Sequence, residues 1–229
     1  MKAAILQSNY IPWKGYFDLM NSADVFIIYD EVQYTKNDWR NRNRIKTANG
    51  TIWLTIPVRQ NTLVQRIIDT EVVNNDWRKK HWNSILMSYS KAPFFKQYSL
   101  QFEELYLNSK ETLLSKINYQ FFITINNILN IKTQLLWSQD LQLIEGKTER
   151  LVDLCEKVGA TEYISGPAAK DYLDVDQFLN KNLKVSWMDY STYPEYTQLN
   201  PPFEHYVSVL DLIFNEGNKA PDFMKSFNQ

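Results

Sequence analysis

In the stretch KNDWRNRNRIK, residues 36–46, Arg40, Arg42, Arg44 and Lys46 recur at every second position. At strand rise such neighbours stand roughly 6.6 Å apart on one face, a spacing that lets guanidinium groups bracket adjacent phosphates. Trp39 and Trp53 accompany them, and arginine beside indole makes a surface that both stacks rings and holds anions. A solvated charged face is the plain alternative. Bulk charge does not favour a polyanion: 25 basic residues stand against 26 acidic ones, with a sequence pI near 6.2. An anion site here must be local.

Other groups able to do chemistry are few. His81 shares four-residue helical steps with Trp77, Ile85 and Tyr89, so it faces inward, as a hydrogen-bonded core residue or as an acid/base group. His205 falls in a loop and carries little weight. Asp30-Glu31 alone is weak evidence for a metal or a general base. In YISGPAAKDY, Ser165, Gly166, Lys170 and Tyr172 stand at a strand end and helix start, where free backbone N–H groups bind anions, although Ser-Gly-Pro is also an ordinary turn. EGKTER is not a P-loop, because the position five before Gly146 is Leu141. GxSxG, CxxC, HExxH and GxGxxG do not occur. The one cysteine, Cys155, lies on the apolar side of a helical pattern and reads as core, which leaves no disulfide and no cysteine metal site.

The elements that must position these groups follow from periodicity. KAAILQ and DVFIIYD are short apolar runs suited to buried strands, separated by SNYIPWKGYFDLMNSA, with Pro12 at the first helical position. Strand, helix and strand in about thirty residues make a parallel unit whose ligands sit outside the carboxyl ends of the strands. Those ends are Gln7 to Tyr10 and Asp30 to Tyr34, which puts Gln7, Tyr10, Asp30, Gln33 and Tyr34 in one crevice. QSNYIPWKGYFD is then either a ligand-facing loop or a turn whose Trp13, Tyr16 and Phe17 pack inward. Asn49-Gly50 predicts a two-residue hairpin loop, with Lys46 opposite Trp53, Arg44 opposite Thr55, Arg42 opposite Pro57 and Arg40 opposite Arg59. Ile45, Ile52, Leu54, Ile56 and Val58 form the opposite, core-facing side. Residues 76–130 read as mostly helical, with Asp76 as a cap and a break at Pro93; TQLLWS, EYISG and KVSWMDY read as strands, alternating with helices at TERLVDLCEKVG and VDQFLNKN. FEHYVSVLDLIFNEG reads as an amphipathic helix stopped by Gly217. The expectation is an α/β, Rossmann-like, mainly parallel sheet with a β-hairpin and a helical insertion. A single domain spans 1–229: an α/β core with hairpin over 1–60 and 132–200, the insertion over 75–131, and a C-terminal helix within 201–229.

The ordered blocks ILQSNYIPWKGYFDLMNSADVFIIYDEVQYTKNDWRNRNRI, WLTIPV, DWRKKHWNSILMSYSKAPFF, YISGPAAKDYL and FEHYVSVLDLIFNEG resemble the WbqC-like family from end to end. Within the first block, Gln, Pro-Trp, Gly-Tyr-Phe, Val-Gln-Tyr and Trp-Arg-Asn-Arg-Asn recur in the family's order. The family pattern falls on Gln7, Pro12, Trp13, Gly15, Tyr16, Asp30, Gln33, Tyr34, Lys36, Trp39, Arg40, Asn41, Arg42, His81, Ser165 and Gly166. Ser8 departs from it, since proline is more usual there. The resemblance implies a place beside O-antigen and other surface-polysaccharide genes, and a part in modifying a nucleotide-linked sugar: acyl or aminoacyl transfer, such as glycyl transfer, to a sugar amine.

On that reading Arg40, Arg42 and Lys36 hold a dTDP or UDP diphosphate and Trp39 or Tyr34 stacks the base or sugar. His81 or Asp30 takes the proton from the attacking amine, and Gln7, Tyr10, Trp13, Gln33, Asn41, Ser165 and Gly166 complete the site. The enzyme is then a transferase or an amide-forming ligase. A free amino acid as donor requires ATP as cofactor; a carrier-bound or tRNA-bound donor does not. No metal is implied. Two other readings stand beside it. One is a nucleotidyltransferase-like enzyme in which Trp13-Lys14-Gly15-Tyr16 replaces an HxGH motif and so lacks both imidazoles. The other is a non-catalytic module for sugar nucleotides or single-stranded nucleic acid. The sequence carries no 18-residue apolar stretch, and its first residues are too short an apolar run for a signal peptide, so a cytoplasmic protein without membrane insertion is expected.

Overall fold

The computed structural model describes residues 1–228. Strand β1 (Lys2–Leu6) leads through helix α1 (Lys14–Asn21) to β2 (Val25–Ile28), and a hairpin of β3 (Arg42–Thr47) and β4 (Gly50–Thr55) follows. Three helices, α2 (Asp76–Tyr89), α3 (Phe95–Leu107) and α4 (Leu114–Leu129), precede β5 (Gln134–Trp137). The chain then alternates through α5 (Thr148–Lys157), β6 (Glu162–Ser165), α6 (Val175–Leu179) and β7 (Lys184–Trp187), and ends with α7 (Val209–Glu216) and 3₁₀ turns.

Five strands pair in parallel in the order β5-β2-β1-β6-β7, the doubly wound arrangement in which successive strands run outward from β1 to both sides. The fold is therefore α/β and Rossmann-like, with the two-stranded antiparallel hairpin as a separate sheet. Alternation within β1 and β2 divides the apolar residues between two cores. Ala3, Ile5, Val25 and Ile27 pack with Val152, Leu154, Cys155 and Phe178 on one face. Ala4, Phe26 and Ile28 pack with α1, the helical segment and α7 on the other. Burial pushes the Cys155 thiol up to about 12, so it behaves as a small apolar group.

Several boundaries differ from the sequence reading, each for a local reason. Helix α1 begins at Lys14, two residues after Pro12, because Trp13 is extended at φ −71, ψ 167 and serves as its N-cap. Asp76 is the first residue of α2 rather than its cap; Asn75 precedes it, and the Asn74 side chain takes the Asp76 amide at 3.0 Å. Helix α7 starts only at Val209, behind a Ser208 cap, because Phe203 to Val207 lie along the hairpin instead. It is not amphipathic: every residue from Val209 to Asn215 is buried.

The hairpin turns one step earlier than expected. Thr47 pairs with Gly50, so Ala48-Asn49 form the loop, and the pairs are Arg42 with Thr55, Arg44 with Trp53 and Lys46 with Thr51. Gly50 takes φ +106, a conformation that favours glycine, and this fixes the closing pair. The register moves by two residues in the partner strand, which keeps the parity of both faces. Ile45, Leu54 and Ile56 are buried as expected, but Ile52, next to the turn, is 40 % exposed and Val58 is half-buried. Arg40 precedes β3, so it is not a member of the strand stripe.

The loop from Gln7 to Trp13 leaves the carboxyl end of β1 and is held from all sides. The Ser8 amide donates to Asp30 Oδ1 at 2.7 Å and the Tyr10 amide to the Trp39 carbonyl at 3.0 Å. Asn43 Nδ2, on the core face of β3, donates to the carbonyls of Tyr10 at 3.1 Å and Ile11 at 3.0 Å. From α4, Asn118 Nδ2 donates to Ser8 Oγ at 2.9 Å and to the Arg40 carbonyl at 3.0 Å. Within this grip Ile11 adopts φ +36, a costly conformation for a β-branched residue and one that persists only where the surroundings over-determine it. Asn43→Ala is expected to lower stability by about 1–3 kcal/mol, since it strands two buried carbonyls; an unchanged urea midpoint would remove Asn43 from this role.

Candidate functional site

The carboxyl edge of the parallel sheet carries two neighbouring clefts. The first, about 230 Å³, lies between the loop after β1 and the hairpin and is lined by Asn9, Pro12, Trp13, Trp39, Asn43 and Tyr206. The second, about 400 Å³, opens at the β1/β6 junction, where strand order reverses; Gln7, Tyr29, Lys147, Arg150, Ser165 and Gly166 are among its walls. Arg40 stands between them. Its guanidinium donates to Gln7 Oε1 at 3.2 Å and to Asn9 Oδ1, with Asp38 Oδ2 at 3.7 Å.

Trp13 lines the first cleft because residue 15 is glycine. A Cβ at Gly15 would lie 2.3 Å from the indole, so no other residue lets that ring rest against the start of α1. Tyr190, Tyr193 and Tyr206 surround it at centroid distances of 5.2, 5.9 and 5.5 Å. Lys14 is buried beside them, donating to the Pro194 carbonyl at 3.0 Å, and desolvation brings its amine down to about 8.

The alternating cations meet three different fates. Arg42 lies over the Trp53 indole at 4.2 Å, and among the described residues its guanidinium has no hydrogen-bond or ion-pair partner. Arg44 is 5.7 Å from the same ring and donates to the Tyr206 carbonyl at 2.9 Å. Lys46 is buried and donates to the Pro202 carbonyl, so the 201–206 segment covers that end of the stripe. Trp53 packs against Trp39 at 5.4 Å, and both indoles remain more than two-fifths exposed, at 45 % and 41 %.

The remaining expected site residues divide by burial. Trp13 and Trp39 line the first cleft and Arg40 bonds to its Asn9; Arg42 lies outside that lining, on the Trp53 that packs against Trp39; Gln7, Ser165 and Gly166 line the second. Lys36 and Gln33 are exposed, and Gln33 Nε2 donates to the Leu63 carbonyl at 2.5 Å. Tyr34 is buried, as is Asn41, whose Nδ2 donates to the Ile56 carbonyl at 2.8 Å. Asp30 is 1 % exposed; one carboxylate oxygen takes the Ser8 amide and the other the Ser115 hydroxyl. Desolvation raises its pKa above the ordinary value, against the pull of those hydrogen bonds.

His81 lies in the core between Trp77, Tyr10 and Tyr106. Its Nδ1 is 2.9 Å from the Tyr10 hydroxyl, which in turn is 2.5 Å from that of Tyr106. Burial brings its pKa down to about 4, opposed by a hydrogen bond with the Thr55 backbone, so the ring is neutral at pH 7. The Tyr10 hydroxyl then donates to Nδ1, and His81 reaches the clefts through the loop that Tyr10 belongs to.

Sequence reasoning overlooked Asn9, Asn43 and Tyr206 in the first cleft and Tyr29, Lys147 and Arg150 in the second. Asn43 did have a signal: it is a polar residue at a core-facing strand position, between Asn41 and Ile45, and such a group needs internal partners. Tyr206 had none, because its contact with Arg44 spans most of the chain.

Residues 7–223 match the WbqC-like protein family, and the chain belongs to that family. The chain is also similar to the "Uncharacterized protein Rv1507c" of Mycobacterium tuberculosis (strain ATCC 25618 / H37Rv), with 47 % identity over 229 residues, covering 100 % of this chain and 99 % of that one. No solved structure matches. Among the described residues no helix is long and apolar enough to cross a membrane.

The depressed pKa of His81 fixes a sign for stability against pH. Between about 4, its folded value, and 6.5, its ordinary one, the unfolded chain binds more protons, so stability falls as pH drops through that window and levels off below it. The expected contribution is up to about 3 kcal/mol at roughly 1.4 kcal/mol per pH unit. Wild type minus His81→Gln, followed by urea unfolding from pH 7 to 4, should show this slope; parallel curves would mean that His81 protonates freely in the folded protein.

Proposed function

We propose that this member of the WbqC-like family is an enzyme of surface-polysaccharide precursor synthesis that joins an acyl or aminoacyl group, such as glycyl, to the amine of a dTDP- or UDP-linked amino sugar. The observation that carries this reading is Arg42: a guanidinium 4.2 Å from the Trp53 ring centroid, without an acceptor of its own among the described residues. Such an arginine is preorganised for a bidentate phosphate contact, because its rotamer is already fixed before the anion arrives. Trp39, beside it and exposed, offers a ring face to the base or sugar, and Trp13 and Tyr206 close the cleft around the remainder.

In the transfer the sugar amine nitrogen forms a bond to the acyl carbonyl carbon, the bond from that carbon to the donor's leaving group breaks with its electron pair going to that group, and the proton the amine gives up leaves with it. Asn9 and Gln7, tied together by Arg40, stand where the two clefts meet and present amide groups to that point. Asp30 and His81 serve as positioning residues in this scheme. Asp30 holds the Ser8 amide and His81 holds Tyr10, and both loop residues flank Asn9. A free amino acid as donor calls for ATP to activate its carboxylate; a carrier-bound donor arrives activated. We place the reaction in the cytoplasm. Phosphoryl chemistry of the HxGH kind is not proposed, since Trp13 and Tyr16 occupy the histidine positions and one packs on Gly15 while the other is in the core.

The paired exposed indoles also fit a single-stranded nucleic acid, for which affinity would fall steeply with salt. Arg42→Ala should weaken binding of the cognate nucleotide sugar by about 1.5–3 kcal/mol, as loss of a charged hydrogen bond does. The free protein stays folded, with only the small loss, about 0.5–1 kcal/mol, of the Trp53 stack. Calorimetric titration with UDP- and dTDP-amino sugars checks this; equal affinity of the variant and wild type would remove the hairpin from the site.

A further inference from the structure

The larger cleft, at the β1/β6 junction, has a construction of its own. Strand order reverses there, so the helices after β1 and after β6 pass to opposite sides of the sheet and leave a crevice beyond the strand ends. Its volume of about 400 Å³ lies within the range of about 300–1,000 Å³ typical of small-molecule sites. One wall carries Lys147 and Arg150, and the opposite wall carries Ser165 and Gly166. Arg150 is fixed: its Nε donates to the Ile144 carbonyl at 2.7 Å and Nη1 to the Tyr29 hydroxyl at 3.1 Å. Lys147 is exposed at the rim, and among the described residues it has no ion-pair partner. Tyr172 also lines the cleft and is 72 % exposed, a ring face open to stacking. Gly166 has a Cβ position 3.8 Å from the Tyr190 hydroxyl, an ordinary contact distance, so this wall is small but not one that only glycine could form.

We propose that this junction cleft is a second site that binds a nucleoside phosphate, with Lys147 and Arg150 on the phosphates and Tyr172 against the base. Two fixed or poised cations on one wall supply charge-assisted donors, and the small Ser165-Gly166 wall allows close approach. The site is distinct from the hairpin cleft in residues and in charge. Arg40, bound to both Gln7 and Asn9, forms the partition between them. The assignment of the cleft does not depend on the identity of the ligand in the hairpin cleft. Combined with the transferase reading, on which this step does rest, the junction cleft holds the activating or donor side of the reaction. The class comprises ATP and coenzyme A, which share phosphorylated adenosine; the hairpin cleft keeps the sugar nucleotide.

The test is calorimetric titration of the full chain at fixed ionic strength with ATP, AMP, coenzyme A, UDP and dTDP, repeated on Lys147→Glu, Ala168→Trp and Arg42→Ala. Ala168 is an exposed residue of the cleft wall, so tryptophan there fills the space without touching the charge or the core. The circular dichroism melt of each variant confirms that it folds. The expected result is that at least one adenosine phosphate binds and that both Lys147→Glu and Ala168→Trp weaken it about tenfold or more, while Arg42→Ala leaves it unchanged. ATP binding without coenzyme A binding identifies in-place activation of a free acid; the reverse identifies a carrier-bound donor. Either supports the site. The inference is overturned if none of the five binds, or if binding is indifferent to both cleft variants or is lost in Arg42→Ala instead. Loss of sugar-nucleotide binding in Arg42→Ala alone, with no adenosine phosphate bound, leaves the hairpin reading standing and removes this one. Adenosine phosphate binding with sugar-nucleotide affinity indifferent to Arg42 does the opposite.

Discussion

The loop from Gln7 to Trp13 is largely buried but polar in content, and four separate elements satisfy it. Asp30 comes from β2's carboxyl end, Asn43 from the hairpin, Asn118 from α4 and the Val209 amide from α7. A buried amide or carbonyl left unpaired costs about 1–3 kcal/mol, so four such anchors hold the loop in one conformation strongly enough to keep Ile11 at positive φ. The sheet, hairpin and helical segment are thereby registered on one another at the place where both clefts open. Loss of a single anchor would leave the elements intact and blur their relative placement.

The same logic explains why charged and titratable groups near the clefts differ in what they can do. Asp30 and His81 are consumed by structure: one has both carboxylate oxygens occupied, and the other is a neutral ring in an aromatic core. Arg40 is shared between Gln7 and Asn9, so it sets their orientation as much as it offers charge. Arg42 is different. Its guanidinium lies over Trp53 and has no hydrogen-bond or ion-pair partner among the described residues, with Nε buried against the ring's surroundings. The groups near the clefts are thus unequal: most are tied to the frame, and Arg42 is held by stacking alone among the described residues.

Much of the frame was legible from periodicity. Runs such as DVFIIYD and EYISG could only be buried strands, and the alternation with helices required a parallel sheet, because parallel strands need crossovers. Helix α4 followed from Leu114, Ile117, Phe121 and Ile125 at helical spacing. The hairpin faces were legible too, since a shift of two residues preserves parity, but its register was not: whether Asn49-Gly50 or Ala48-Asn49 makes the turn depends on backbone dihedrals that both dipeptides can adopt. The C-terminal helix misled because Phe203 and Tyr206 have helical spacing with later apolar residues yet pack elsewhere, Phe203 on Tyr196 and Tyr206 on Trp13. Of the site, Gln7, Trp13, Trp39 and Arg42 carried visible signals, whereas Asn9, Tyr206 and Arg150 matter only through neighbours remote in the chain.

By itself the sequence determined the strand and helix inventory, the direction of the sheet, the two-sided hairpin and the concentration of cations and indoles at residues 36–53. These are consequences of local periodicity and side-chain chemistry, which act over a few residues. Only the tertiary structure decided which cation remains unpaired. Arg44 and Lys46 each give a donor to Tyr206 and Pro202 and Arg40 gives donors to Gln7 and Asn9, whereas Arg42 alone of the four has no hydrogen-bond partner among the described residues. A side chain's free valence is set by whatever the fold brings beside it, and that is a long-range property that spacing does not encode.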